Sequence, residues 1–139
     1  MKRSIIALAA VMLIPIMCVV GTVIAADVND GDDLQAAIDA ATSGDTITVG
    51  AGTYDPIVIS GKYVTLLGAQ SGVDACEREG IDESVITDSG RLLELKTGSA
   101  GTIIDGFTFS GGTKQIESTS GPIDDLQILN NRFVGFSPS

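Results

Sequence analysis

Acid–base chemistry in this chain is limited to Asp, Glu, Lys, Arg and Tyr, because its 139 residues include no histidine. A serine–histidine–aspartate triad and a histidine-based metal site are therefore excluded. Eighteen residues are aspartate or glutamate, and spacing alone cannot select the two carboxylates that a glycosidase uses. Residue types thus identify no catalytic residue.

The segment DVNDGDD at residues 27–33 has the composition of a calcium-binding loop. Asp27 and Asn29 fit the first and third ligand positions of such a loop. Gly31, however, occupies the fifth position instead of the sixth, and no glutamate stands at the twelfth. This register favours a solvated linker and helix cap, so we predict no cofactor beyond weak, nonspecific calcium binding.

A short amphipathic helix is predicted directly after this segment. Asp32 or Asp33 supplies its N-cap, and the tripeptide SGD at residues 43–45 ends it. A helix of about ten residues is stable only when its apolar face is packed. The residues of that face recur at i, i+3, i+4 and i+7. They are Leu34, Ala37, Ile38 and Ala41.

Beyond the helix, the sequence predicts brief strands separated by Gly, Ser, Asp and Pro. Residues 52–54 (GTY) are predicted as a turn, and the polar segment 71–84 is predicted as an inserted loop. The predicted strands cover residues 46–49, 56–59, 63–67, 85–87 and 92–95.

Ten residues, TIIDGFTFSG at 102–111, recur as LQILNNRFVG at 126–135, shifted by 24 positions. A third copy, TLLG, ends at Gly68 and lies 38 positions before its counterpart; removing the 14 residues of segment 71–84 restores the shift of 24. Such units are typical of a solenoid, whose first coil the predicted helix would cover. The aligned pairs are Ile104 with Ile128, Gly106 with Asn130, and Phe109 with Phe133.

These segments resemble the N-terminal cap and first coils of the right-handed parallel β-helix, the pectin-lyase-like superfamily. The resemblance lies in the helix, in SGDTI entering a strand, in the GTY turn and in VTLLG, and it continues in TIIDGFTFSG and LQILNNRF. It extends roughly from Asp33 to Phe136, and it places Asn130 where members stack asparagines in a sharp turn. It implies an all-β, single-stranded solenoid of about four coils with an N-terminal capping helix.

The resemblance suggests one catalytic chemistry to test. In polysaccharide lyases of this superfamily, carboxylate-bound calcium bridges the acid group of the substrate, and an Arg or Lys removes the adjacent proton. Asp124 and Asp125 with Arg132, or Asp88 with Arg91, have suitable residue types. No segment matches a lyase motif, so solvent-facing turn charges are the favoured interpretation and no catalytic, cofactor-binding or metal-binding residue is assigned.

Aromatic residues offer a second kind of site, a surface on which a sugar can stack. The candidates are Tyr54, Tyr63 and Phe107. Inward packing is favoured for Phe107, and both placements remain open for the tyrosines.

The N-terminus is typical of an export signal. Lys2 and Arg3 precede an apolar run that ends in small residues, which predicts a signal peptide at residues 1–26, with an uncleaved membrane anchor as the alternative. The net charge of −10 becomes −12 without the two leader cations, and such a surface repels nucleic acid and anionic lipid. Cys76 is then the only cysteine, which excludes an internal disulfide.

The sequence therefore predicts a secreted or cell-surface protein in which residues 27–139 form the β-helix domain. A structural, adhesive or glycan-binding role is favoured, with a polysaccharide or a cell-surface protein as partner. The alternative is the N-terminal fragment of a polysaccharide lyase or another carbohydrate-active β-helix enzyme. Because no closing cap follows the last repeat, we expect either a longer protein or end-to-end self-association through Ile128 and Phe133.

Overall fold

The computed structural model describes residues 26–136. The predicted signal peptide lies outside this range except for Ala26. Within the described range, no helix has the length and hydropathy needed to cross a bilayer.

Residues 26–136 form one short helix and twelve short strands, so the prediction of a mainly β chain with one helix is confirmed. Their bounds are β1 Ala26–Val28, α1 Leu34–Ala40, β2 Thr46–Val49, β3 Gly52–Tyr54, β4 Ile57–Ile59, β5 Thr65–Leu67, β6 Ser84–Asp88, β7 Arg91–Leu95, β8 Ile103–Asp105, β9 Phe107–Gly111, β10 Lys114–Ser118, β11 Gln127–Leu129 and β12 Arg132–Val134.

Every strand pairing in the described range is parallel, and the strands form three sheets. Sheet 1 has the order β1-β2-β5-β8-β11, sheet 2 the order β3-β6-β9-β12, and sheet 3 the order β4-β7-β10. From β2 onward the chain visits sheets 1, 2 and 3 in constant rotation. The strands thus fall into four rows: β2–β4, β5–β7, β8–β10 and β11–β12. This topology is compatible with a parallel solenoid.

The strand register places equivalent apolar residues in columns. Ile104 pairs with Ile128, and Phe109 pairs with Phe133, each 24 positions apart. Leu66 pairs with Ile104 across 38 positions. Ile104, Phe109 and Leu66 are fully buried, and burying a side chain of this size contributes about 1.5–3 kcal/mol. In the last row, Ile128 and Phe133 remain 41% and 48% exposed.

Helix α1 covers the first row of the core. Leu34 and Ile38 are buried, while Ala37 and Ala41 are partly buried and pack against the core. Asp33 caps the helix by accepting a hydrogen bond from the amide of Ala36 at 3.0 Å. Carbonyl groups at the other end of the helix accept bonds from a single ammonium group. The Lys62 Nζ donates to the carbonyl oxygens of Ile38, Asp39 and Ala41 at 2.6–3.1 Å.

A side chain of α1 also protects the edge of sheet 3. Strand β4 is an edge strand, because it pairs only with β7 in its sheet. The Gln35 Oε1 accepts a hydrogen bond from the Val58 amide at 2.7 Å, and the Gln35 Nε2 donates to the Val58 carbonyl oxygen at 3.1 Å. One side-chain amide therefore takes the place of a neighbouring strand's peptide group, which blocks pairing with another chain at this position.

Replacing Gln35 with leucine is expected to lower the free energy of unfolding by about 1–3 kcal/mol, because both backbone groups of Val58 lose their partner. Urea unfolding measures the change. The matched control is Gln127→Leu on the exposed strand β11, which we expect to change stability by less than about 0.5 kcal/mol. Equal effects of the two substitutions would contradict the edge-protecting role of Gln35.

Four details differ from the sequence-based expectations. Residues 26–28 form strand β1, which pairs with β2, whereas the segment from residue 27 was predicted as a solvated linker. Gly52–Tyr54 is strand β3 and not a turn, because Tyr54 faces the core and the three residues pair with β6. Strand β10, KQIES, was not predicted; it contains only Ile116 as an apolar residue, and pairing with β7 makes it a strand. The segment between β5 and β6 covers residues 68–83, whereas Ser84 belongs to β6.

Candidate functional site

The segment between β5 and β6, residues 68–83, is here called the inserted loop. It contacts the third row through Asp105, which lies at the end of β8. The Ser71 hydroxyl donates to Asp105 Oδ2 at 2.6 Å, and the Gly72 amide approaches Asp105 Oδ1 at 3.4 Å. Asn130, in the fourth row, donates to the same Oδ1 atom at 2.8 Å. One carboxylate thereby joins the inserted loop to the last two rows.

Arg78 extends from the inserted loop into the protein, and its side chain is only 1% exposed. Its guanidinium group donates to Glu83 Oε2 at 2.8 Å and to the Asn130 carbonyl oxygen at 2.6 Å. Longer contacts of 3.4 Å reach the carbonyl oxygens of Gly106 and Phe107. A buried cation needs this many partners, because its desolvation penalty amounts to several kcal/mol.

Glu83, whose side chain is 5% exposed, completes the buried ion pair. Its Oε2 atom also accepts a hydrogen bond from the Thr108 hydroxyl at 2.8 Å. Among the described residues, the Oε1 atom of Glu83 and the Nε atom of Arg78 are buried without hydrogen-bond partners. This pair holds the inserted loop in place through its contacts. Because both charged groups are shielded from solvent, neither is presented to a substrate as an acid or base.

Sequence reasoning did not select Arg78 or Glu83. Both lie in a highly charged segment, where most side chains are exposed. The only available signal was that Arg78 is the single cation among the acids of residues 74–83. Such a residue has acidic neighbours on both sides, but nothing in the sequence indicates which of them it binds.

The ionised form of Asp105 is stabilised by its hydrogen bonds. Burial alone would raise the pKa of this carboxyl group, but bonds from Ser71, Asn130 and Gly72 and the charge of Arg78 outweigh that effect and hold the pKa below its ordinary value of 3.8. Stability from the ionised form is therefore present above pH 3.8 and is lost as the pH falls through the lowered pKa.

We expect Asp105→Asn to make stability less dependent on pH below about pH 4, because asparagine has no proton to bind. The measurement is the free energy of unfolding in urea from pH 2 to pH 7. Asp124→Asn, at an exposed position, is the control, and its free energy of unfolding should depend on pH as that of the wild type does. If Asp105→Asn kept the pH dependence of the wild type, the contacts of the ionised Asp105 carboxylate would not contribute to stability.

The corner between sheets 1 and 2 depends on Gly106 and two asparagines. Gly106 and Asn130 both have left-handed backbones, with φ of 79° and 50°. Gly68 lies directly against the carbonyl group of Gly106, so a side chain there has no room. Asn131, which sequence reasoning missed, accepts a bond from the Phe107 amide at 2.8 Å and donates to the Ile104 carbonyl oxygen at 2.7 Å. Its position after the aligned Asn130 was the available signal.

With this geometry established, comparison with known proteins adds no relative. No family model, curated protein or solved structure matches the chain.

Asp88 and Arg91, one of the two sets considered for lyase chemistry, are not brought together as an ion pair. Hydrogen bonds from the backbone of Gly90 and from Ser89 lower the pKa of Asp88. Arg91 instead binds Glu94 at 3.2 Å and also binds Glu117. Asp88 therefore stabilises a turn, while Arg91 belongs to a charged surface on sheet 3.

The other set considered for lyase chemistry lies in the fourth row and the turn before it; it consists of Asp124, Asp125 and Arg132. Both aspartates are exposed. The guanidinium group of Arg132 lies against Gly80 of the inserted loop. No ion pair joins Arg132 to either aspartate within residues 26–136.

The charged surface on sheet 3 lies across neighbouring strands β7 and β10. A hydrogen bond from Thr119 lowers the pKa of Glu94, with Arg91 and Lys96 contributing. Hydrogen bonds from Lys114 and Arg91 lower the pKa of Glu117. Glu94 and Glu117 are direct cross-strand neighbours, so the surrounding cations offset the repulsion between them.

The aspartates near residues 27–33 serve the backbone rather than a common ligand. Asp30 accepts a bond from the Thr53 amide at 3.1 Å, and Asp32 accepts one from the Asn29 amide at 2.9 Å. Asp32 and Asp33 border a cleft of about 500 Å³ between the start of α1 and strand β3. Within the described range, no three His, Cys, Asp or Glu side chains are grouped so that they could hold a metal ion.

The aromatic candidates divide sharply by exposure. Tyr54 and Phe107 are buried in the core, whereas Tyr63 is 44% exposed. Burial raises the pKa of Tyr54, with the charges of Asp30 and Asp32 acting in the same direction. Cys76 is an exposed free thiol on the inserted loop. Of these residues, Tyr63 alone offers an aromatic surface to a ligand.

Proposed function

We propose that the chain is an exported, right-handed parallel β-helix of about four coils in the pectin-lyase-like superfamily. The repeated order of sheets 1, 2 and 3 and the columns of apolar residues support this fold. Right-handed connections between parallel strands of one sheet are strongly preferred, which supports the handedness. The leader supports export to the cell surface or the extracellular space.

We propose further that this domain has a structural or adhesive role and binds a glycan or a cell-surface protein. The observation that carries this proposal is that charged side chains of the domain bind one another. Arg78 and Glu83 bind each other in the interior, and Arg91 binds Glu94 and Glu117. These groups stabilise a rigid scaffold, which suits a domain that presents a surface.

End-to-end self-association remains part of this proposal. Ile128, Leu129, Phe133 and Phe136 are all between 41% and 55% exposed. The rings of Phe109 and Phe133 stack with centroids 5.3 Å apart, so the apolar column reaches the exposed fourth row. Sedimentation analysis should show a concentration-dependent dimer, and a monomer at all concentrations would exclude this contact.

The experiment that tests the main proposal compares binding with catalysis. The protein is incubated with polygalacturonate and calcium while ultraviolet absorbance reports the unsaturated product of a lyase. In parallel, it is applied to an array of neutral and acidic glycans. We expect no rise in absorbance and binding to a subset of glycans. A sustained rise would establish the alternative, a carbohydrate-active enzyme, and would contradict the adhesive role.

A further inference from the structure

Tyr63 lies in a column of turn residues on the outside of the protein. Gly44, Tyr63, Gly101 and Asp125 each stand two positions before a strand of sheet 1: β2, β5, β8 and β11. Because those strands pair in register, the four residues follow one another along the stack. The Gly44 amide donates to the Tyr63 carbonyl oxygen at 2.9 Å, which fixes the first two members. We call these four residues the Tyr63 column.

The ring of Tyr63 rests on the two glycines of the column. A Cβ atom at Gly44 would lie 3.4 Å from the Tyr63 hydroxyl oxygen, and one at Gly101 would lie 3.8 Å from Cγ and Cδ2. The hydroxyl end of the ring is therefore near Gly44 and its Cγ end near Gly101. Both glycines have left-handed backbones, with φ of 94° and 85°. These positions disfavour side chains, and Tyr63 as a whole remains 44% exposed.

The backbone beneath the ring is held in place before any ligand arrives. Lys62, the preceding residue, is bound through its ammonium group to three carbonyl oxygens at the end of α1. The Tyr63 carbonyl group is bound to Gly44. Tyrosine has few rotatable bonds, so a tyrosine on a fixed backbone loses little conformational entropy when a ligand covers it.

We propose that Tyr63 is the stacking surface for a pyranose ring of an uncharged glycan. This inference rests on the glycan-binding part of the proposed function. The face of an aromatic ring carries partial negative charge and attracts the C–H groups of a sugar face. Asp125 lies two strand spacings farther along the column, about 10 Å from Tyr63, where its exposed carboxylate can accept hydrogen bonds from sugar hydroxyl groups.

The charge of the protein selects against acidic sugars. Asp124 and Asp125 are both exposed at the end of the column, and the whole chain has a net charge of −10. A uronate polymer would bring further negative charge to this surface and be repelled. The ligand class that fits is therefore a neutral hexose oligomer.

Fluorescence provides a direct test, because the chain has two tyrosines and no tryptophan. In the Tyr54→Phe variant, Tyr63 is the only remaining tyrosine. The protein is titrated with cellohexaose, mannohexaose and laminarihexaose, and polygalacturonate is the charged comparison. We expect at least one neutral probe to change the Tyr63 emission and polygalacturonate to leave it unchanged. If none of the neutral probes binds at millimolar concentration, the proposal is wrong.

Substitutions of Tyr63 then test whether glycan binding depends on stacking against its ring. Calorimetry with the glycan that binds should show that Tyr63→Ala lowers the affinity by about tenfold or more. Tyr63→Phe keeps the ring, so its affinity for the same glycan should stay within about threefold of the wild-type value. Ile81→Ala, at an exposed apolar residue of the inserted loop, is the matched control and should bind normally. Glycan binding that survives in Tyr63→Ala would refute the Tyr63 site while leaving the proposed function standing.

Discussion

Replacing Arg78 with methionine is expected to lower the free energy of unfolding by about 3–5 kcal/mol, the usual cost of removing one partner of a buried ion pair. Glu83 would remain shielded from water, with its Oε2 atom bound only to the Thr108 hydroxyl. The carbonyl group of Asn130 would also lose its 2.6 Å bond. Urea unfolding of the wild type and the variant measures the difference.

The surface residue Arg91 supplies the matched control for Arg78. It binds Glu94 and Glu117, but its side chain is 36% exposed, so Arg91→Met should cost no more than about 1 kcal/mol. A double variant, Arg78→Met with Glu83→Leu, should recover much of the lost stability, because apolar side chains can replace a buried pair at little cost. A loss below 1 kcal/mol in Arg78→Met would show that the inserted loop does not depend on this pair.

The second large effect is expected at Gly106, where substitution by alanine should cost about 2–5 kcal/mol. A Cβ atom there would overlap the backbone nitrogen of Ser71 and lie 2.5 Å from its Cα atom. The inserted loop would have to move away, at a cost of about 1–3 kcal/mol for overpacking. The backbone φ of 79° adds about 1–2 kcal/mol for any residue with a side chain.

Gly72 separates these two contributions. Its φ of 77° matches that of Gly106, but no atom lies within 4 Å of the position that a Cβ would occupy. Gly72→Ala should therefore cost only the backbone penalty of about 1–2 kcal/mol. Equal losses at the two positions, measured by thermal or urea unfolding, would mean that contact between the inserted loop and Gly106 contributes nothing.

Periodic apolar residues explain why much of the architecture was predictable from sequence. The helix was recognisable because Leu34 and Ile38 repeat at helical spacing, and both are buried. The pairing of β8 with β11 was recognisable because Ile104 and Ile128 stand in equivalent repeats. Local patterns such as these are imposed by burial on one face and are therefore visible in the chain itself.

Polar contacts over long separations were not predictable, for a physical reason. Gln35 binds Val58, 23 positions away, through an amide that is equally suited to solvent. Arg78 and Glu83 have the residue types of exposed loop charges, and only the folded chain buries them. Strand β10 could not be predicted either, because its polar sequence becomes a strand only through hydrogen bonds with β7. Each case depends on a partner that local sequence does not reveal.

The bond between Arg78 and Asn130 has a consequence for how the protein opens. Repeats in a solenoid contact only their neighbours, so such proteins can lose terminal repeats one at a time. Here the guanidinium group joins the second and fourth rows, 52 residues apart. Release of β11 and β12 must therefore break a contact made from inside the protein. We therefore expect the fourth row and the inserted loop to open together as one cooperative unit.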